Sequence, residues 1–167
     1  MKKITLGLVA LTAATSTMAQ DADQEALLGG NWDLTVKTDA MTDAKVARLI
    51  KMGTGGGMIA FKCDEAGPKS VYMHIIGDAY LGGDETRQMM VRFGSEDAVK
   101  TMMFAKDRSA LVFDFSRTQK FARKMMTVDK VSFRLYSYRY ASSDVSFDLE
   151  GAATEIPKLF AECGARL

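Results

Sequence analysis

The chain has 167 residues, with 22 basic and 21 acidic side chains, one histidine and two cysteines. This length fits one domain, and a hydrophobic fraction of 47% with 26% charged residues excludes an intrinsically disordered chain. The near-neutral charge argues against nucleic acid as a partner, because phosphate contacts need an excess of Lys and Arg. His74 alone cannot supply a metal site built from several histidines.

The N-terminus is typical of a secretory signal peptide. Two lysines precede a short apolar stretch over residues 4–11, and small residues end the segment at Ala19. The apolar stretch is much shorter than the ~20 residues of a membrane span. We therefore predict a signal peptide over residues 1–19 and no membrane span in the mature chain. We expect an exported periplasmic protein, with residues 20–30 as a flexible lead-in and residues 31–167 as one domain.

Alternation of apolar and polar residues with a period of two dominates the chain after the lead-in and indicates β-strands. In chain order, we expect strands at residues 32–37, 46–51, 59–63, 71–76, 88–93, 101–104, 110–113, 131–135 and 145–149. Helical spacing of apolar residues predicts two short helices, over residues 117–126 and 154–163. The predicted fold is mainly β (α+β), a single antiparallel β-sandwich-like domain with two short helices near the C-terminus.

The two cysteines gain a specific meaning from the predicted export. Cys63 ends the third predicted strand, and Cys163 ends the last predicted helix. In an oxidising compartment, two cysteines in one small domain typically form a structural disulfide. A redox-active thiol typically needs a C-x-x-C motif or an electropositive helix start, and the sequence has neither. We therefore predict a structural bond between Cys63 and Cys163.

Other candidate motifs favour structural roles. The glycine cluster Gly53–Gly57 precedes a strand, whereas a phosphate loop precedes a helix, so it predicts a hairpin turn. Asp39 and Asp43 bracket a polar turn and favour local capping over acid–base chemistry. His74 lies in mid-strand and favours a half-buried sheet position, and the methionine pairs favour core packing over copper binding. We expect no catalysis, no metal and no cofactor.

The segment from Arg134 to Tyr140 is the best candidate for a binding surface. Alternation along a strand places Arg134, Tyr136, Tyr138 and Tyr140 on one face. Tyrosines beside arginine are typical of surfaces that contact protein or glycan. The same pattern also fits tyrosines packed under a helix or loop, with only their hydroxyl groups in water. Both interpretations stay open at this point.

Several short motifs occur in a characteristic order along the chain. It begins with Trp32 and ends with Cys163, and between them lie Asp39–Asp43, Phe61–Cys63, Lys106–Leu111, Phe121 and Phe147–Gly151. This order resembles the type VI secretion-associated periplasmic accessory proteins of the VasI/TagO group. The resemblance implies an accessory role without known catalysis, and it transfers no active-site residue.

Two functional hypotheses follow from these observations. The first is an exported, non-catalytic envelope protein that binds an envelope protein or a peptidoglycan-associated partner, as the resemblance implies. The alternative is a periplasmic inhibitor of a cell-wall hydrolase, similar in role to lysozyme inhibitors. That alternative rests on analogy with other small disulfide-bonded β domains.

Overall fold

The computed structural model describes residues 31–139 and 141–167. This part of the chain contains two helices, α1 (Phe115–Met125) and α2 (Ala152–Glu162), and a short 3-10 turn at Thr54–Gly56. Its strands are β1 (Asp33–Thr38), β2 (Lys45–Met52), β3 (Met58–Cys63), β4 (Tyr72–Ile76), β5 (Gly82–Phe93), β6 (Val99–Asp107), β7 (Ser109–Val112), β8 (Lys130–Tyr136) and β9 (Ser142–Asp148). The predicted signal peptide and lead-in lie outside the described residues.

These nine strands form one antiparallel sheet in the order β1-β2-β3-β4-β7-β6-β5-β8-β9. The predicted mainly β, antiparallel fold with two short helices is confirmed. Each predicted strand corresponds to an observed one, but β5 begins at Gly82, where the sequence suggests a turn. Gly82 pairs with Asp107, and the register shifts between Gly82 and Glu85. Such a shift marks a β-bulge or irregularity, at which a strand bends, so the glycines that suggest a turn lie within β5 instead.

The sheet curls until its first strands meet its last one. Gly53, which follows β2, lies so close to β9 that an added Cβ would be 2.6 Å from the Phe147 ring and 2.5 Å from the Ser146 carbonyl oxygen. Trp32, just before β1, donates a hydrogen bond from Nε1 to the carbonyl oxygen of Glu150 at 3.0 Å. These contacts give the sheet an inner face and an outer face.

The inner face and the two helices share one hydrophobic core. The predicted apolar stripe of α2 is buried, and it consists of Ile156, Leu159 and Phe160. Phe160 packs on Phe61 of β3, with ring centroids 6.3 Å apart. Helix α1 contacts β4 and β7. Neither helix of the described residues is long and apolar enough to cross a membrane.

The predicted disulfide is confirmed. Cys63 at the end of β3 is bonded to Cys163, directly after α2, and their Cα atoms are 6.1 Å apart. The amide of Gly67 also donates to the Cys163 carbonyl oxygen at 2.8 Å. The end of α2 is therefore fixed to β3 and to the β3–β4 connection. Because the bond closes a loop of 100 residues, it restricts the unfolded chain strongly.

We expect Gly53→Ala to lower the free energy of unfolding by about 1–3 kcal/mol, because the added methyl group overlaps β9. Gly53 has a φ of −118°, which any residue adopts, so the loss reports the close contact rather than backbone strain. Urea unfolding of the oxidised chain measures the change. Gly83→Ala is the control, since an added Cβ there meets nothing within 4 Å. Equal stability of the two variants would contradict a tight contact between β2 and β9.

Candidate functional site

A groove of about 320 Å³ lies on the outer face of β5, β8 and β9. Alternation directs Val91, Phe133 and Val145 into the core, so their sequence neighbours point outward. The ladder places Met90, Arg134 and Asp144 in one row across the three strands, and Arg92, Ser132 and Ser146 in the next. These two rows line the groove, and Ala98 closes one side.

Arg134 is held in place by Asp144 on the neighbouring strand. Its Nε donates to Asp144 Oδ1 at 2.7 Å, and a terminal nitrogen donates to Oδ2 at 2.6 Å. Hydrogen bonds from Arg134, and then its charge, hold the pKa of the Asp144 carboxyl below its ordinary value. A guanidinium group has five N–H donors, and this pair uses two of them. Arg134 can therefore offer further donors to a ligand in a fixed orientation.

The second row of the groove supplies hydroxyl groups and a cation. Ser132 Oγ and Ser146 Oγ lie 2.8 Å apart and share a hydrogen bond. None of the ion pairs among the described residues involves Arg92. Since Asp144 balances the charge of Arg134, Arg92 leaves the groove with a net positive charge. This combination suits a ligand with hydroxyl or carboxylate groups.

Tyr136 lies next to the groove, whereas Tyr138 does not share its row. The Tyr136 hydroxyl donates to Met90 Sδ at 3.2 Å, so its ring lies along the outer face. Strand β8 ends at Tyr136, because the Ser137 hydroxyl accepts bonds from the Arg139 and Ala141 amides and forms a turn. The structure thus brings Arg134 and Tyr136 together and places Tyr138 in this turn.

Tyr138 has its own partners in that turn. Its ring meets the Tyr80 ring edge-on at 6.0 Å, and the Arg139 guanidinium lies 5.1 Å from its centroid. Tyr138 is 46% exposed, and Tyr80 is 53% exposed. Tyr140, the last residue of the predicted surface, lies outside the described residues. No sequence pattern marks Arg92, Ser132, Asp144 and Ser146 as site residues, because only strand pairing brings them beside Arg134.

His74 is half-buried on the outer face of β4, as the sequence predicts, and its Nε2 lies 2.8 Å from Ser109 Oγ on β7. A serine bonded to a histidine forms two thirds of a hydrolytic triad. Burial, and then the charge of Lys62, lower the pKa of His74 to about 4. A carboxylate partner would raise that pKa, and no carboxylate bonds to His74 among the described residues. So weak a base fits a structural hydrogen bond better than catalysis.

Of the two carboxylates that the sequence places in the β1–β2 turn, Asp39 serves local capping. Asp39 Oδ1 accepts hydrogen bonds from the Met41 and Thr42 amides, each at 2.9 Å. These bonds, with one from the Thr42 hydroxyl, lower the pKa of Asp39. In the part of the chain that the structure describes, no three His, Cys, Asp or Glu side chains come together in a way that could hold a metal.

No family model, no curated protein and no solved structure matches the chain.

We expect His74 to titrate near pH 4. Its folded pKa lies below the ordinary 6.5, so the unfolded chain binds the extra proton between these values. The stability that neutral His74 contributes is therefore complete above pH 6.5 and is lost as the pH falls towards 4. Between pH 7 and 4.5, the free energy of unfolding should fall by about 1–2 kcal/mol more in the wild type than in His74→Gln. The difference is no larger because the imidazole is only half-buried and solvent screens part of the effect.

NMR of the untagged chain gives a direct check, since it contains one imidazole. A midpoint above pH 6 would contradict the burial of His74 beside Lys62. Urea unfolding at the two pH values, for the wild type and His74→Gln, separates this effect from the carboxylates that titrate in the same range.

Proposed function

We propose that this chain is an exported, non-catalytic envelope protein that binds a protein or cell-wall partner in the groove of β5, β8 and β9. The preorganised lining of the groove carries this proposal. Asp144 fixes Arg134, and Ser146 fixes Ser132, before any ligand arrives. Groups that are already ordered lose little entropy on binding, so more of the contact energy appears as affinity.

The proposed periplasmic location is supported by the disulfide and by the N-terminal sequence. Disulfides form and persist in oxidising compartments, and Cys63 and Cys163 are bonded. Residues 1–19 have the charged start, apolar centre and small-residue end of a signal peptide. The order of motifs from Trp32 to Cys163 supports a role like that of type VI secretion accessory proteins.

We expect export to remove residues 1–19. The chain, expressed with its own N-terminus in a Gram-negative host, should appear in the periplasmic fraction and begin at Gln20. N-terminal sequencing and intact mass measure both properties. A disulfide-bonded mass that is two hydrogens lower than the reduced mass completes the check. A cytoplasmic protein that begins at Met1 would contradict the proposed location.

We expect the double variant Arg92→Gln/Arg134→Gln to bind the partner at least tenfold more weakly than the wild type, because arginine contacts in the centre of an interface contribute about 1–3 kcal/mol. The measurements are sedimentation with purified peptidoglycan and affinity capture from envelope extract, each followed by titration of the captured component. Lys120→Gln/Arg123→Gln removes the same charge from exposed positions on α1 and is the matched control.

The outcomes of this experiment separate the hypotheses. Loss of binding in the groove variant alone supports the proposed function, and equal binding by both variants would contradict it. Potent inhibition of a lysozyme by the wild-type chain, lost in the groove variant, would instead favour a hydrolase inhibitor. Tyr136→Phe, which removes only the hydroxyl group on Met90, tests whether that hydroxyl contributes to binding.

A further inference from the structure

A second surface on the outer face lies towards the opposite end of the sheet from the groove. It follows one row across β2, β3, β4, β7 and β6. Arg48 pairs with Lys62, and Lys62 pairs with Tyr72. Phe113, directly after β7, and Met102 on β6 continue the row. We call Arg48, Lys62, Tyr72, Phe113 and Met102 the cationic–aromatic strip.

The cationic end of the strip is electrostatically unfavourable in the free protein. Arg48 and Lys62 are direct cross-strand partners on the same face. Like charges in such positions repel each other. Among the described residues, neither side chain takes part in an ion pair. The nearby carboxylate of Asp64 instead accepts a hydrogen bond from the Tyr72 hydroxyl at 3.0 Å. An anionic group placed between the two cations would relieve the repulsion.

The other end of the strip is apolar and open to water. The Phe113 ring lies 5.6 Å from the Tyr72 ring and 5.8 Å from the Phe104 ring. Phe113 is 58% exposed and Met102 is 44% exposed. Clustered rings of this kind, beside a polar border, are typical of surfaces that bind a partner. Both properties lie along one row of side chains on the outer face, so one ligand that follows the row can contact them together.

We propose that the cationic–aromatic strip binds a protein segment that carries an acidic residue and an aromatic or aliphatic residue about four positions apart. Adjacent strands are ~4.8 Å apart, so the midpoint of Arg48 and Lys62 lies on the order of 12 Å from Phe113. An extended peptide spans that distance in about four residues at ~3.3 Å each. The acidic side chain then lies between the two cations, and the apolar one lies on Phe113 and Met102.

The composition of the strip favours a peptide over an anionic membrane. Recognition of anionic lipid surfaces typically uses clusters of 4–8 Lys or Arg. The strip has two cations, followed by an aromatic pair on the same row. One carboxylate and one apolar side chain match this arrangement in both charge and length. The strip is also separate from the Arg92–Arg134 groove, so the two sites can be tested independently.

The test begins with selection of random displayed dodecapeptides on the full chain purified after export. We expect selected peptides to be enriched in Asp or Glu about four positions from Phe, Tyr, Trp or Leu. Individual synthetic peptides should bind Arg48→Gln/Lys62→Gln at least tenfold more weakly than the wild type, because the anionic contact is lost. Phe113→Ser/Met102→Ser should also weaken binding, because it removes the exposed apolar end.

Matched controls keep the test independent of folding and of the groove. Lys120→Gln/Arg123→Gln loses the same charge from α1, and Arg92→Gln alters the groove. Both control variants should bind the selected peptides as tightly as the wild type does. Arg48→Gln/Lys62→Gln should unfold no earlier than the wild type in urea, because it removes the repulsion between the two cations. Absence of the acidic–apolar spacing, or equal binding by the strip variants, would overturn the proposal. So would vesicles of phosphatidylglycerol and phosphatidylcholine that bind with the same dependence on Arg48 and Lys62.

Discussion

The contact between the β2–β3 connection and β9 is the constraint on which the other features of this protein depend. Gly53 allows the backbone to lie against Phe147, and no larger side chain fits there. With the ends of the sheet in contact, alternate residues of the strands turn towards a common core and the remaining ones form a continuous outer face. The groove and the cationic–aromatic strip both lie on that outer face.

The disulfide and the helices complete this closure from the other side. Phe160 of α2 packs on Phe61 of β3, and the bond between Cys63 and Cys163 fixes the end of the same helix to the same strand. The helix therefore cannot separate from β3 unless both the apolar contacts and the covalent bond are broken. A domain held in this way presents rigid strands on its outer face, and rigid strands hold binding groups in more constant positions than loops do.

Much of the fold could be predicted from the sequence, because a period of two reports which side of a strand is apolar. The same alternation does not report which strand lies beside which, and strand pairing decides the sites. The composition of residues 134–140 indicates that Arg134 belongs to a binding surface. The pairing of Arg134 with Asp144, however, depends on the register of β8 and β9. The departure of Tyr138 from the row depends on hydrogen bonds to the Ser137 hydroxyl, which no periodicity reveals.

Strand pairing also changes the interpretation of single residues. Ser109 is 35 residues from His74, yet β4 and β7 bring the two side chains within hydrogen-bond distance. That contact alone would suggest hydrolysis, but burial, and then the cation of Lys62, lower the pKa of His74 to about 4 and keep the imidazole neutral. Lys62 is also the partner of Arg48 in the cationic–aromatic strip. The unbalanced charge of Lys62 therefore has two effects. It lowers the basicity of His74, which weakens the case for catalysis there. It also attracts an anionic ligand, which strengthens the case for binding at the strip.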